Sequence, residues 1–496
     1  MDAKLKSRNT ESSTAPAQSG TRHYDDLPGP RGLPFFGNAL QFKAPRLHLQ
    51  FEQWSREFGP LYKLNAPGRR LLVVADHALV AAVLRDRPEG FARTNRLQEM
   101  WTELGLQPGV FGANGEVWKR QRRMVMAGFD PAHVKRYYPA MVAVSQRLSA
   151  RWRRAAAAGQ AVDLQADLMR YTVDTIAGLA FGAQVDTLGS DGDVIQQHLD
   201  KLFPALFKRL TMPLPVWRWL PSAADRQLAQ SVQQVNRAVD GFVAEARQRL
   251  QADPARRAEP PNLLEAMIVA ADEPASGMDD AQVAGNVLTM LLAGEDTTAN
   301  PLAWMLHLMW QHPATLARAV AEVQRVVGDS VNPSMEQMAQ LDYVEACAHE
   351  AMRLKPVAPL LPLQTRQEVL VGDVRVPEGV LVMNLMRPDS VSDAHVPNAA
   401  AFDPERWLAD GSTAAAAASS AKRISMPFGA GPRICPGRYL ALLEMKLAIA
   451  TILRDFEITA VDTPDGGPAE ELLQFTMSPL GLRMRLRAKN PAPSVA

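Results

Sequence analysis

Phe428-Gly429-Ala430-Gly431-Pro432-Arg433-Ile434-Cys435-Pro436-Gly437 sets one cysteine in a glycine-flanked loop that runs directly into the apolar helical stretch Arg438 to Phe456. Thiolate rather than thiol binds iron, and backbone N–H donors with a positive helix end nearby lower a thiol pKa. Gly431 and Gly437 permit a tight turn and the close approach of a flat ligand that a side chain would block. The loop therefore reads as an axial-ligand loop for haem iron, with Arg433 placed to reach a carboxylate of the same cofactor. A cysteine taken alone is more often a small core residue, so the reading rests on the ten-residue pattern.

Two further constellations lie upstream. Ala293-Gly294-Glu295-Asp296-Thr297-Thr298 interrupts the apolar run from Val283 to Trp310 with an acid beside two hydroxyls, which is costly in a buried helix unless partnered or useful. Pro301 follows; its ring clashes with the Thr297 carbonyl and it offers no N–H, so the helix is expected to bend or open there. Glu350-Ala351-Met352-Arg353 puts an acid and a base on one helix face, and Pro404-Glu405-Arg406-Trp407 lies between that pair and the cysteine loop.

The fixed positions Phe428, Gly431, Arg433, Cys435 and Gly437 resemble the haem-binding signature of the cytochromes P450, the haem-thiolate monooxygenases. The resemblance implies a mainly α fold with a small β region, with haem b between a long distal helix and the proximal Cys435 loop. It assigns Thr297 to hydrogen-bonding dioxygen and Asp296 to proton relay, since splitting O–O needs protons delivered in order. Glu350, Arg353 and Arg406 become a structural triad. Trp118 and Arg122, four apart on one helix, join Arg366 and Arg433 as propionate contacts, and Phe428 belongs to the haem loop. Where the family often carries a further histidine this chain has Arg387-Pro388-Asp389-Ser390, so one such contact is not expected. Lys119, Arg120 and Arg123 read as a solvated basic face able to dock an acidic electron donor. A peroxygenase or a haem-thiolate isomerase is the alternative within enzymes, which the intact acid–Thr pair disfavours; a turnover-free haem sensor is the alternative outside them.

Length and composition bound the rest. The chain has 496 residues, 47% hydrophobic, so a large core is available, and its net charge of +1 gives no global argument for nucleic acid. Two cysteines argue against a disulfide framework and suit a reducing compartment; Cys347 reads as a buried small residue. Residues 1–26 read as a disordered, polar tail without a transmembrane anchor, and 27–496 as one haem domain without a fused reductase, cytoplasmic and supplied from NAD(P)H through a ferredoxin or flavodoxin and its reductase. Periodicity predicts helices over Gly115–Gly128, His133–Ala157, Asp163–Phe181, Ile195–Leu210, Ala223–Gln251, Asp279–Gln311 and Thr315–Val327, short strands at Leu61–Leu64 and Leu71–Leu72–Val73–Val74, and sheet from Val369 to Val382. Ala414–Ser420 is a low-complexity insertion. By resemblance the substrate pocket draws on Met100, Trp101, Leu104, Val357, Leu360, Leu361, Phe475 and Met477. These suit a hydrophobic small molecule, with long-chain aliphatics such as fatty acids ahead of terpenoid and aromatic compounds.

Overall fold

The apolar run around Asp296 is the axis of the molecule, because Asp280–Gln311 forms a single 32-residue helix about 48 Å long. Asp279 caps it, accepting from the Gln282 N–H while the Gln282 side chain bonds back to the Asp279 N–H. Apolar residues surround this helix, as a buried helix requires, and Leu164–Phe181, Ala223–Ala252, Asp342–Leu354 and Arg438–Asp455 pack against it. The computed structural model describes residues 20–182, 186–189, 201–212, 214–408 and 420–489. The predicted tail up to residue 19, the start of the Ile195 helix and nearly all of the Ala414–Ser420 insertion lie outside the described residues.

Helix limits follow the sequence pattern within a few residues at Gly115–Gly128, Pro131–Ala157 and Pro313–Val326, and the helix Leu202–Thr211 ends one residue past the expected Leu210. The helix after the cysteine loop stops at Asp455, and Phe456 opens a strand instead of ending the helix. One expectation is corrected. The tail was expected to reach residue 26, but Arg22–His23 pairs in parallel with Val374–Arg375, and Tyr24 is buried with its hydroxyl shared between the Leu64 and Leu71 carbonyls. An aromatic ring with two backbone acceptors within reach gains more from burial than from solvation.

The β region is small and sits to one side. Its largest sheet has five strands in the order Leu61–Ala66, Arg69–Val74, Leu381–Leu385, Leu360–Thr365, Phe91–Ala92. Arg69–Val74 runs parallel to Leu381–Leu385, and the other pairings are antiparallel. A hairpin of Glu471–Leu473 and Met477–Pro479 turns its tip, Gln474 to Thr476, toward the central helix. Cys347 is fully buried in Asp342–Leu354, where burial pushes its thiol well up. Among the described residues no helix is long and apolar enough to cross a membrane.

Candidate functional site

The cysteine loop is held flat by backbone contacts that only glycine allows. Gly431 sits at φ +70°, and a Cβ there would lie 2.4 Å from the Leu84 carbonyl at the end of the helix His77–Arg85. Arg87 fastens the contact, donating from Nε to Leu84 at 2.9 Å and from Nη2 to the Ala430 carbonyl at 2.8 Å. The Cys435 N–H closes the loop on the Phe428 carbonyl at 2.9 Å, and the Gly437 N–H points at the sulfur. The thiol pKa, expected to fall, is raised: burial outweighs the Gly437 N–H, Arg122 and Arg438. Donors and helix end lessen the cost of a buried thiolate without cancelling it, and a bound metal cation would tip the balance.

Beside this sulfur lies a concentration of positive charge without counter-charge. Arg433 is pushed down to about 9 by burial, then by Arg87 and Arg122. Burial brings Arg87 to about 10, and burial with Arg433 and Arg87 brings Arg93 well below the usual arginine range. Among the described residues no carboxylate acts on any of the three. The Arg433 Nη1 is buried without a partner among the described residues, although Nη2 donates to the Ala113 carbonyl. Buried guanidiniums call for anionic partners, and the two propionates of a haem fit this one. Trp118 and Arg122 lie in the cluster: Arg433 stacks on the Trp118 indole, and Arg122 donates to the Ile434 carbonyl at 2.8 Å. Arg366 is not brought there; it follows the strand Leu360–Thr365 with an exposed side chain. Arg93 takes a place in the cluster that sequence reasoning missed. It sits just after Phe91–Ala92 and bonds the Phe111 carbonyl at 3.1 Å, with no local pattern to mark it. Arg120, expected on the solvated face, is half-buried against Gly277, leaving Lys119 and Arg123 exposed.

On the long helix, Ala293, Gly294, Asp296 and Thr297 are accessible between stretches that are almost wholly buried. Positions 293, 296 and 297 share one helix face, so that face is left accessible there. The Asp296 carboxylate accepts from the Thr476 hydroxyl at 2.9 Å, while the Thr297 hydroxyl turns back to the Ala293 carbonyl. The helix runs through Pro301 without interruption, so the expected opening does not break it. The segment Gln107–Ala113 ties this helix to the cysteine loop. Gly109 has no room for a Cβ, which would meet the Thr289 hydroxyl at 2.0 Å; the Val110 N–H donates to Asn286 at 2.8 Å; and the Ala113 carbonyl holds Arg433.

Three aromatic rings cluster above this segment: Phe475 stacks on Phe203 at 4.6 Å and meets Phe111 edge-on at 6.0 Å. Phe111 and Phe203 were not anticipated; Phe111 follows the stretch that carries Met100, Trp101 and Leu104. Leu104, Val357, Leu360 and Leu361 are partly accessible, whereas Met100, Trp101 and Met477 are core. The triad forms as expected. Arg353 grips Glu350 with two bonds of 2.7 Å, Arg406 donates to the same carboxylate at 3.3 Å, and Trp407 adds its indole N–H at 2.9 Å. Arg387 turns away to Glu52 and Glu471.

The cytochrome P450 family profile matches residues 27–485. The chain is 29% identical over 436 residues to the carotene epsilon-monooxygenase, chloroplastic, of Arabidopsis thaliana, covering 84% of this chain and 77% of that one. It is 27% identical over 482 residues to a self-sufficient cytochrome P450 monooxygenase of Penicillium expansum, covering 95% of this chain but spanning only 44% of the relative's length. The crystal structure of the cytochrome P450DA haem domain superposes with a TM-score of 0.79 at 27% identity, covering 94% of this chain and 98% of that chain.

Proposed function

Because this chain belongs to the cytochrome P450 family, and its monooxygenase chemistry needs haem, dioxygen and an electron donor, we propose that Cys435 would hold the iron of haem b through its thiolate and that Arg93, Trp118, Arg122 and Arg433 would hold its propionates. The observation that carries this reading is the uncompensated cluster of guanidiniums, Arg87 buried and Arg93, Arg122 and Arg433 half-buried, beside a half-buried cysteine. When bound, the haem supplies the redox centre at which dioxygen is activated and the substrate oxidised, with electron density donated by the thiolate.

Asp296 and Thr297 border the accessible face of the long helix, where a carboxylate and a hydroxyl can pass protons inward. Thr476 fixes the carboxylate through its hydroxyl. Phe475, next to Thr476, stacks on Phe203 and meets Phe111 edge-on, and these three rings form the apolar wall nearest the carboxylate. The substrate is a hydrophobic small molecule, with long-chain aliphatics first and terpenoids second; the similarity to a carotene-named monooxygenase favours an extended hydrocarbon skeleton in either class. Electrons come from NAD(P)H through a separate ferredoxin or flavodoxin system docking near Lys119 and Arg123, and the two reduced cysteines suit the cytoplasm.

The test is the absorbance of the reduced, carbon monoxide-bound protein. A strongly red-shifted Soret band that disappears in Cys435→His is expected, and a variant that kept the band would remove Cys435 from the role. Screening lipids and terpenoids for the low-spin to high-spin shift then orders the substrate classes.

A further inference from the structure

We propose that His77, Asp389 and His395 form a binding site for a divalent transition cation of the zinc class, separate from the haem site. One ligand atom from each residue lies within 4.8 Å of the other two. His77 opens the helix His77–Arg85, Asp389 sits in the turn Pro388–Val391, and His395 is folded back by its N–H on the Ser392 carbonyl at 3.0 Å. Asp389 is already the hub. One carboxylate oxygen takes the His77 N–H at 2.7 Å and the His77 Nδ1 at 2.8 Å, and the other lies 3.5 Å from the His395 Nε2.

The donor set selects the metal class. Two imidazoles and a carboxylate with a fourth position left for water match zinc and its neighbours, whereas magnesium and calcium favour oxygen throughout. Around a tetrahedral zinc with legs of about 2.0–2.2 Å, adjacent ligand atoms stand roughly 3.3–3.6 Å apart. The His395 pair already has that separation. The His77 pair is shorter because a proton bridges it; the cation would replace that proton, which leaves to solvent, and the pair would open by roughly half an ångström. All three side chains are partly exposed, at 29%, 18% and 36%, so an ion can enter from solvent.

The site joins two parts of the scaffold. The helix that begins at His77 ends under Gly431 of the cysteine loop, and the carbonyl of Ser390, next to Asp389, accepts from Arg353. A bound ion therefore ties the support beneath the loop to the segment that holds the buried triad.

Tag-free holoenzyme stripped with a chelator and titrated with zinc chloride alone should bind one equivalent by calorimetry. Its haem should pass to apomyoglobin more slowly once zinc is bound. His77→Ala with His395→Ala together should lose that equivalent. Should the double variant fold poorly, judged by its carbon monoxide-bound spectrum, His395→Gln on the exposed loop should weaken zinc at least tenfold. Absence of a saturable single equivalent, or unchanged affinity in His395→Gln, would overturn the proposal.

Discussion

The guanidinium of Arg433 lies over the indole of Trp118, 4.7 Å from the ring centroid, with Nη1 buried and without a partner among the described residues. The stacked face and the Ala113 carbonyl satisfy part of this cation, and its neighbours Arg87 and Arg122 repel it. Its remaining donor is held ready for an anion.

Arg433→Leu should therefore act in opposite directions on the two forms of the protein. Removing a desolvated, unpaired cation should stabilise the haem-free chain by about 1–3 kcal/mol. Haem retention should fall at least tenfold. Urea unfolding of the haem-free proteins and haem transfer rates read the two effects; a variant less stable without haem would contradict the charge argument.

Glu350→Gln should be among the most damaging single changes. The carboxylate is fully buried and serves Arg353, Arg406, the Trp407 indole and the Asp403 N–H. An amide leaves the buried Arg353 without a counter-charge and Arg406 with only the Asp403 carboxylate at 3.8 Å, a loss of roughly 3–5 kcal/mol. Denaturant titration would show it as a lower midpoint.

Thr476→Val removes the hydroxyl that fixes Asp296 while preserving shape. Product formed per NAD(P)H consumed should drop severalfold with a surrogate reductase, with the substrate dissociation constant changing less than twofold. Equal coupling in variant and parent would mean that the carboxylate is oriented without Thr476.

The stacked pair Phe203 and Phe475 should show an energetic coupling of about 0.5–1.5 kcal/mol in a double-mutant cycle on stability. Each alanine variant should also shift the spin-state titration of long-chain ligands toward weaker binding, since each removes aromatic wall from the same space.

His307 should impose a pH slope on stability. It is 4% exposed beside Trp304, and burial, with Lys355, pushes its pKa down to about 4. An unfolded chain takes up that proton near the ordinary imidazole value of about 6.5. Between those values the unfolded state binds more protons, so stability falls as pH drops from about 6.5 and this contribution levels off below about 4. The slope from one group is at most ~1.4 kcal/mol per pH unit. Urea midpoints at pH 7, 6 and 5 should separate the parent from His307→Asn, which lacks the slope.

What the sequence made legible was local. Cys435, the acid–Thr pair and Glu350 with Arg353 sit in short patterns whose spacing already places them on one loop or one helix face. Arg93, Phe111, Phe203 and Thr476 were illegible because their partners lie far off in the chain: Arg93 meets Arg433, and Thr476 meets Asp296. The Cys435 thiol was misjudged for a related reason, since donors are visible in a loop sequence while burial is set by everything packed around it. Arg366 was transferred by resemblance alone, and its strand carries it to the surface.

Phe475 and Thr476 are adjacent in the chain, yet one meets the aromatic wall and the other holds the acid. With Asp296 and Phe475 in the proposed roles, a molecule that fits badly and displaces the ring would drag the hydroxyl with it, and poor fit would register as reducing power spent without product, even where binding stays tight. Substrate preference in this enzyme is then best ranked by efficiency of electron use, with affinity a poor guide.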